Sequence, residues 1–171
     1  MTIFTVTEPF GVDIFRNDRG RLIRKEEGKK FFKNHRKHKE STGCYLFCKR
    51  VGGGILPYYI GKSTTGFENE VFNSDNREKY SQVVVEYGIG TPVLIFVVHP
   101  VKPGLNNNGH IKELENFLIY YGKKANPRLL NVQNIGSAKI NDNWGIKGVH
   151  NCKNAHAPKN IEIKFRKMMG L

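Results

Sequence analysis

The order of hydrophobic and polar residues in the first part of the chain predicts several strands and one helix. Residues 2–15, rich in β-branched and aromatic side chains, predict an extended hairpin. The stretch from Arg24 to Lys39 is helix-like and strongly basic. A strand is predicted from Cys44 to Arg50 and a returning strand from Tyr58 to Lys62, because apolar side chains alternate in both and the flexible glycines 52–54 join them.

The second part of the chain contains the longest apolar elements. A helix-compatible stretch begins near Phe67, and the polar run 73–76 is expected to break it, because short polar side chains compete for the helical backbone. Val93 to Val98 is continuously apolar, which is typical of a central strand covered on both faces. His110 to Lys124 is the clearest amphipathic helix. The tail predicts an edge strand and a short basic helix, Trp144 to Val149 and Asn160 to Met169.

The composition is that of a globular protein, but the charge is strongly basic. The 171 residues include 28 Lys and Arg against 15 Asp and Glu, a formal net charge of +13 with a pI near 9.8. Most of the excess lies in two flanks, residues 1–50 and 139–171, and the middle is nearly neutral. This distribution suits a domain that grips a polyanion from both sides, so nucleic acid is the expected partner.

A membrane is not expected as a partner. No apolar run approaches the roughly 18 residues of a spanning helix, and the basic segments lack a wide apolar face. The N-terminus also lacks the basic region and apolar stretch of a secretory signal. We therefore expect a cytoplasmic protein. The sequence indicates no oligomeric state.

The basic helix predicts where a nucleic acid would bind. Its cationic side chains are dense enough to contact several phosphates, and five of them are expected to do so: Lys29, Lys30, Lys33, Arg36 and Lys37. The alternative is an ordinary solvated helix face. No recognition helix or zinc finger that would specify bases is evident.

Two tyrosines of the predicted β-ribbon are candidates for chemistry. If the turn is centred on Gly52, Tyr45 lies opposite Tyr59, and odd numbering sends both phenols to one face of the ribbon. The alternative is ordinary strand packing, and a one-residue slip in register would separate the pair.

The amphipathic helix from His110 carries two acids with different expected environments. On the helical period, Glu113 falls on the polar side and is expected to be solvated. Glu115 lies at the edge of the apolar arc and faces the sheet. A carboxylate there must be paired, protonated or bound to metal, so a structural ion pair and a functional site remain open.

These residues together resemble the GIY-YIG nuclease superfamily. Its paired motif is similar to Gly-Cys-Tyr at 43–45 and Tyr-Ile-Gly at 59–61. Downstream, Leu-Glu-Asn-Phe-Leu-Ile at 114–119 resembles the family's metal-ligand helix, and Asn-Pro-Arg-Leu-Leu-Asn at 126–131 resembles its closing asparagine loop. The resemblance covers about residues 42–132.

The resemblance implies an α/β (α+β) fold: a small three-stranded antiparallel sheet flanked by helices, with one active site on the sheet. Residues 42–132 would form this domain. Residues 1–41 would be a basic N-terminal extension, and residues 133–171 a basic C-terminal extension packed on it.

The resemblance also implies roles for individual residues. Glu115 would hold one divalent cation, Mg²⁺ or Mn²⁺, that stabilises the leaving oxygen of a phosphodiester. Tyr59 would be the general base toward water, its phenol acidified by nearby cation charge, with Tyr45 in support. Lys62 would lower the tyrosine pKa or neutralise the phosphate. Asn131 would orient backbone or water.

The chain departs from the family at one position. The family places an arginine about three residues after an apolar anchor that corresponds to Phe67, and this chain has Glu70 there. Either Arg77 reaches the site from a later turn, or Glu70 is a second metal ligand.

The function implied by the resemblance is a divalent-metal-dependent endonuclease that hydrolyses DNA, with RNA as the other candidate substrate. The alternative is a nucleic-acid-binding module on the same fold that does not cleave.

Overall fold

The computed structural model describes residues 1–101, 104–132, 136–137, 142–152 and 159–171. Within these residues the strands are β1 Thr2–Val6, β2 Phe10–Gly11, β3 Phe15–Asn17, β4 Gly20–Leu22, β5 Gly43–Val51, β6 Gly54–Ser63, β7 Thr91–Val98 and β8 Trp144–Ile146. The α-helices are α1 Lys25–Asn34, α2 Phe67–Glu70, α3 Ser74–Glu86, α4 Asn108–Ala125 and α5 Asn160–Met169. A 3₁₀ turn, Arg36–His38, follows α1.

The main sheet is larger than predicted. The α/β class is confirmed, but the expectation of three strands is wrong: six strands join in the order β6-β5-β7-β1-β8, with β2 also paired to β7. The β6-β5-β7 part is antiparallel, and β8 runs parallel to β1. The added strands come from the two basic extensions. They supply partners for the far edge of β7, whose backbone groups would otherwise be unpaired.

The predicted N-terminal hairpin over 2–15 is also wrong. Strands β1 and β2 do not pair with each other; both pair with β7, through Thr5↔Val98 and Phe10↔Leu94. The hairpin in this region lies later, between β3 and β4. Apolar alternation predicted the extended conformation correctly but does not specify which strand becomes the partner.

The β5–β6 hairpin has a bulge that changes the expected register. Its tip is a two-residue turn at 52–53, where Gly52 has a φ of 56°, and Cys48 pairs with Pro57. The next pair along is Phe47 with Tyr59, so Tyr58 is an extra residue on β6. Tyr45 therefore lies opposite Gly61, and the prediction that it lies opposite Tyr59 is wrong.

The two faces of the sheet carry separate hydrophobic cores. On one, which we call the α4 face, Cys44, Leu46 and Cys48 pack with residues of α4, α5 and β8. On the other, the α3 face, Tyr45 and Phe47 pack with residues of α1, α2 and α3. The alternation of β5 thus sends consecutive side chains into different cores, as expected for a strand covered on both sides.

Polar side chains satisfy backbone groups at both ends of helix α3. Asn73 caps its N-terminus by accepting a hydrogen bond from the Asn76 backbone N–H at 2.9 Å. The predicted break at 73–76 is therefore confirmed, as the start of a new helix. At the other end, buried Lys49 donates to the carbonyls of Tyr87 and Gly88, at 2.8 and 3.1 Å. A cation at a helix C-terminus satisfies carbonyls that have no partner within the helix.

The later elements lie close to their predicted positions. Helix α4 begins two residues before the predicted His110 and ends one after Lys124. Strand β8 is an edge strand, and α5 has the predicted bounds. In the part of the chain that the structure describes, no helix is long and apolar enough to cross a membrane.

Candidate functional site

The two candidate tyrosines lie together on the α3 face. Their ring centroids are 6.4 Å apart, with the planes inclined at 51°. Tyr45 is fully buried, and its hydroxyl accepts a hydrogen bond of 2.8 Å from the amide nitrogen of Asn76. Tyr59, diagonal to it across the ribbon, is half-buried. The phenols are therefore neighbours, although the register that brings them together differs from the predicted one.

The close approach of Tyr45 to β6 depends on a glycine. A Cβ on Gly61 would lie 2.4 Å from both the Cζ and the hydroxyl oxygen of Tyr45. The phenol thus occupies the space that a side chain at position 61 would fill. This is a physical reason for glycine as the third residue of the Tyr-Ile-Gly motif.

Burial and neighbouring carboxylates raise the pKa of both phenols. For Tyr59, desolvation is the largest cause of the raised pKa, followed by the negative charges of Glu115 and Glu70, while a hydrogen-bonding interaction with Tyr45 lowers the pKa. For Tyr45, desolvation also dominates the raised pKa, followed by Tyr59 and Glu70. The resemblance implies a phenol whose pKa is lowered by cations, whereas in the chain alone the pKa of both phenols is raised.

A cation nevertheless lies beside Tyr59. The Lys79 ammonium is 4.8 Å from the centroid of the Tyr59 ring. Lys79 comes from the first half of α3, one turn after Asn76. Such a contact stabilises the ring and places positive charge at the exposed side of the phenol.

Glu115 faces the protein and is paired with two lysines. Its side chain is 8% exposed, and its Oε2 lies 2.8 Å from the Lys62 ammonium and 3.0 Å from that of Lys112. The expectation that Glu115 must be compensated is met by this arrangement. Glu113, expected to be solvated, instead accepts a hydrogen bond of 2.8 Å from the Trp144 indole. That expectation is wrong because β8 covers this side of α4.

Glu115 and the tyrosines lie on opposite faces of the sheet, beside its edge strand β6. Helix α4 packs on the α4 face, whereas both phenols belong to the α3 face. Lys62 belongs to β6, the edge strand, and brings Glu115 to that edge. The Glu115 carboxylate is near enough that its charge raises the pKa of Tyr59 and, more weakly, that of Tyr45. The groups share one electrostatic environment without direct contact between carboxylate and phenol.

Arg77 and Glu70, the two residues considered for the place where the GIY-YIG superfamily has an arginine, behave differently. The Arg77 guanidinium donates a hydrogen bond of 3.0 Å to the Phe72 carbonyl, which holds the turn between α2 and α3. The Glu70 carboxylate accepts from the Asn73 amide at 3.1 Å, and its charge raises the pKa of Tyr45 and Tyr59. An acid thus lies on the α2 side of the phenols, and Arg77 is directed to backbone.

Asn131 binds the backbone of the edge strand. Its amide nitrogen donates to the Ile60 carbonyl at 2.7 Å, and its amide oxygen accepts from the Ile60 N–H at 2.9 Å. Asn126 donates to the Pro57 carbonyl, and the Leu130 N–H donates to the Tyr58 carbonyl. The 126–131 segment therefore pairs with β6 along the residues that flank Tyr59, which orients this strand.

The residues at the edge fit a weakly held Mg²⁺ and not a preassembled cage. In the described ranges no group of three or more His, Cys, Asp and Glu side chains is placed to hold a metal ion. Both lysines contact Oε2 of Glu115, so Oε1 takes part in neither ion pair. One carboxylate oxygen completed by waters and a substrate phosphate is a common Mg²⁺ environment. Glu70 is held by Asn73, and we do not place it among the ligands.

A cationic groove lies beside the same region, between α1 with its 3₁₀ turn and α2. Its volume is about 420 Å³, and it is lined by Lys29, Phe32, Lys33, Arg36, Lys39 and Glu68. Three of the five residues predicted to bind phosphate therefore share one surface. The other two do not line it: Lys30 pairs with Asp13 at 2.6 Å, and Lys37 lies elsewhere on the 3₁₀ turn. Helix α2 contributes a residue to each of the two sites. Glu68 lines the groove, and the charge of Glu70 acts on the phenols.

Some of the residues at these sites are not indicated by any motif. For Lys112 the signal was available, since a lysine three residues before Glu115 on a helix is its neighbour. Likewise Lys29, Lys33 and Arg36 recur at helical spacing, which separates them from Lys30 and Lys37. Asn76 has no such signal, because a polar residue in the first turn of a helix usually caps or faces solvent.

Comparison with known proteins gives no relative, because no family model, no curated protein and no solved structure matches this chain.

Proposed function

We propose that this protein is a divalent-metal-dependent endonuclease that hydrolyses DNA phosphodiester bonds at the edge of β6. One observation carries the proposal: a buried carboxylate, Glu115, is compensated by Lys62 at the edge strand and acts electrostatically on Tyr59. A tyrosine, a lysine and a buried acid at one sheet edge are a base, a phosphate-binding cation and a metal ligand.

Each residue has a distinct part in the proposed reaction. Tyr59, as the phenolate that the positive charge of a bound cation would favour, takes a proton from the attacking water, and Tyr45 supports it from the protein interior. Lys62 alternates between Glu115 and a non-bridging phosphate oxygen, to which it donates. Glu115 would hold Mg²⁺ or Mn²⁺ through Oε1, and the ion when bound supplies charge stabilisation for the leaving 3′-oxygen. Asn131 keeps the backbone on either side of Ile60 in place.

The proposed substrate reaches this edge from the cationic groove. The groove places Lys29, Lys33 and Arg36 on one surface with Lys39, and Glu68 holds Lys39 at 3.0 Å. Cations on a rigid helix contact successive phosphates without reading bases. DNA is the proposed polyanion, and RNA is the alternative to be compared in the same assay.

A nicking assay with a matched acid variant tests the proposal. Supercoiled plasmid is incubated with the protein and Mg²⁺ or Mn²⁺, and Glu115→Gln is compared with Glu78→Gln, an exposed acid on α3. We expect nicking by the wild type and by Glu78→Gln, and its loss in Glu115→Gln with DNA binding retained. Nicking that survives in Glu115→Gln, or that persists in excess chelator, would contradict the proposed site.

A second function is favoured by one observation, the carboxylate at position 70. An acid beside the phenols, where the family has a cation, repels a scissile phosphate. The second candidate is therefore a DNA-binding module that does not cleave. Salt-dependent binding with no nicking under either metal would support this module and exclude the endonuclease.

A further inference from the structure

Asn76 is a buried amide whose orientation is fixed by its neighbours. It is 2% exposed, in the first turn of α3. Its Nδ2 donates to the Glu70 carbonyl and to the Tyr45 hydroxyl, both at 2.8 Å. A backbone carbonyl can only accept, so the end of the amide that faces Glu70 must be the NH₂ group. The contact with Tyr45 is therefore one in which Asn76 donates.

This direction determines what the Tyr45 hydroxyl can do. A hydroxyl that accepts from one neighbour still has its own proton to donate. Tyr45 is 1% exposed, so that proton needs an acceptor within the protein. The neighbouring phenol is Tyr59, whose ring lies 6.4 Å away and whose pKa a hydrogen-bonding interaction with Tyr45 lowers. The Tyr59 hydroxyl, on the neighbouring ring, is a group that can accept this proton.

We propose that Asn76 is a positioning residue that sets the direction of a three-residue relay, Asn76 to Tyr45 to Tyr59, and thereby makes Tyr59 the phenol that ionises. Tyr45 keeps its proton and donates it to the phenolate of Tyr59, whose own proton passes to solvent. In the proposed endonuclease the relay selects the general base from two adjacent tyrosines. Only this catalytic use of the relay rests on the proposed function.

The charged and titratable groups around the pair come from every element packed on it. Glu70 of α2, Asp75 of α3 and Glu115 of α4 oppose ionisation of Tyr59, and Lys79 of α3 favours it. Tyr80 of α3 is a third phenol, deeply buried. Glu70 and Glu115 act on both phenols, whereas Asp75 acts on Tyr59 and Lys79 lies over the Tyr59 ring. The donated hydrogen bond, in addition, has one direction. The direction of the relay therefore distinguishes Tyr59 from Tyr45, although the two phenols have similar electrostatic surroundings.

Titration of individual tyrosines by NMR tests the relay without nucleic acid or metal. The protein is labelled with ¹³C at the tyrosine Cζ, and the two resonances are assigned with Tyr45→Phe and Tyr59→Phe. In the wild type we expect the Tyr59 resonance to shift with rising pH before unfolding, while that of Tyr45 stays fixed. Ionisation of Tyr45 first, or a Tyr59 resonance that stays fixed until unfolding, would overturn the relay.

Variants of Asn76 separate direction from packing. Asn76→Leu removes the donor at similar volume, and we expect the pKa of Tyr59 to rise by about half a unit, with a similar rise in Tyr45→Phe. In the double variant Asn76→Leu with Tyr45→Phe, the pKa of Tyr59 should be no higher than in Tyr45→Phe alone, because both changes act through the Tyr45 hydroxyl. Asn69→Leu, at an exposed position of α2, is the control and should leave the pKa of Tyr59 unchanged.

The relay is overturned if Tyr45→Phe raises the pKa of Tyr59 and a folded Asn76→Leu does not. If Asn76→Leu does not fold, Asn76→Asp replaces it: a carboxylate accepts the Tyr45 proton, reverses the contact and should raise the pKa of Tyr59 further. A pKa of Tyr59 that stays the same in Asn76→Asp would overturn the relay as well. Absence of nicking alongside the expected titrations would count against the endonuclease only.

Discussion

The Lys62 ammonium lies 2.8 Å from Oε2 of Glu115, and this contact joins the edge strand of the sheet to the middle of α4. Glu115 is nearly inaccessible, with 8% of its side chain exposed, whereas Lys62 is 34% exposed and Lys112 is 47% exposed. A charge buried to this extent depends on its partners, and the more buried partner contributes more.

Removing Lys62 should therefore cost more stability than removing Lys112. We expect Lys62→Met to lower the free energy of unfolding by about 1 to 2 kcal/mol and Lys112→Met by less than about 1 kcal/mol, because exposed partners are screened by solvent. Urea unfolding at neutral pH measures both. Equal effects would show that the two lysines are interchangeable and that Lys62 has no special position.

Gly61 should not tolerate a side chain. A Cβ at this position meets the rigid, buried Tyr45 ring at 2.4 Å, so Gly61→Ala must displace the phenol or the strand. We expect a loss of about 2 to 4 kcal/mol of stability, measured by thermal or urea unfolding.

Gly53→Ala is the matched control in the same hairpin. A Cβ on Gly53 meets nothing within 4 Å, so that variant should stay within about 0.5 kcal/mol of the wild type. The clash can also be tested directly, since Tyr45→Leu should make Gly61→Ala less costly. Additive effects of the two changes would mean that the ring is not the obstacle.

The cationic groove gives a charge-matched test of DNA binding. Lys29→Gln with Lys33→Gln removes two groove cations, and Lys30→Gln with Lys37→Gln removes two cations outside it. We expect the groove pair to reduce the slope of log affinity against log salt by about two, since each phosphate contact contributes about 0.9. The other pair should change the slope much less. Fluorescence anisotropy with a labelled duplex at several salt concentrations measures both slopes, and identical slopes would argue for attraction by net charge alone.

His38 should make the protein sensitive to acid. Its side chain packs among aromatic rings, with centroids 5.4 Å from Phe10 and 5.5 Å from Phe96, and burial lowers the pKa of His38 to about 4. The unfolded chain, with an ordinary histidine pKa near 6.5, binds a proton more readily. The stability from neutral His38 is therefore complete above about pH 6.5 and is lost as the pH falls toward 4.

We expect this loss to reach about 3 kcal/mol near pH 4, and His38→Leu should remove it. The measurement is urea unfolding of both proteins at a series of pH values between neutral and 4. His35→Leu is the comparison, because His35 is less buried and its pKa is lowered less. If the wild type and His38→Leu lose stability in parallel, other groups cause the acid sensitivity.

The sequence by itself determined the local elements and their faces. Alternation in β5 assigned Tyr45 and Phe47 to one side and Cys44 and Leu46 to the other, as the two cores confirm. The polar run at 73–76 predicted a break in the helical stretch after Phe67, and the helical period predicted that Glu115 faces inward. These features follow from the covalent geometry of neighbouring residues, in which side chains repeat every two or every 3.6 positions.

Only the tertiary structure decided which of these elements meet. The bulge at Tyr58 changed the partner of Tyr45, the extensions added strands to β7, and β8 covered Glu113. The tertiary structure also brought Asn76 to Tyr45, 31 residues apart in sequence, and Lys62 to Glu115, 53 residues apart. Such contacts depend on how whole elements pack, and a one-residue change in register redirects every side chain, so no local pattern encodes them.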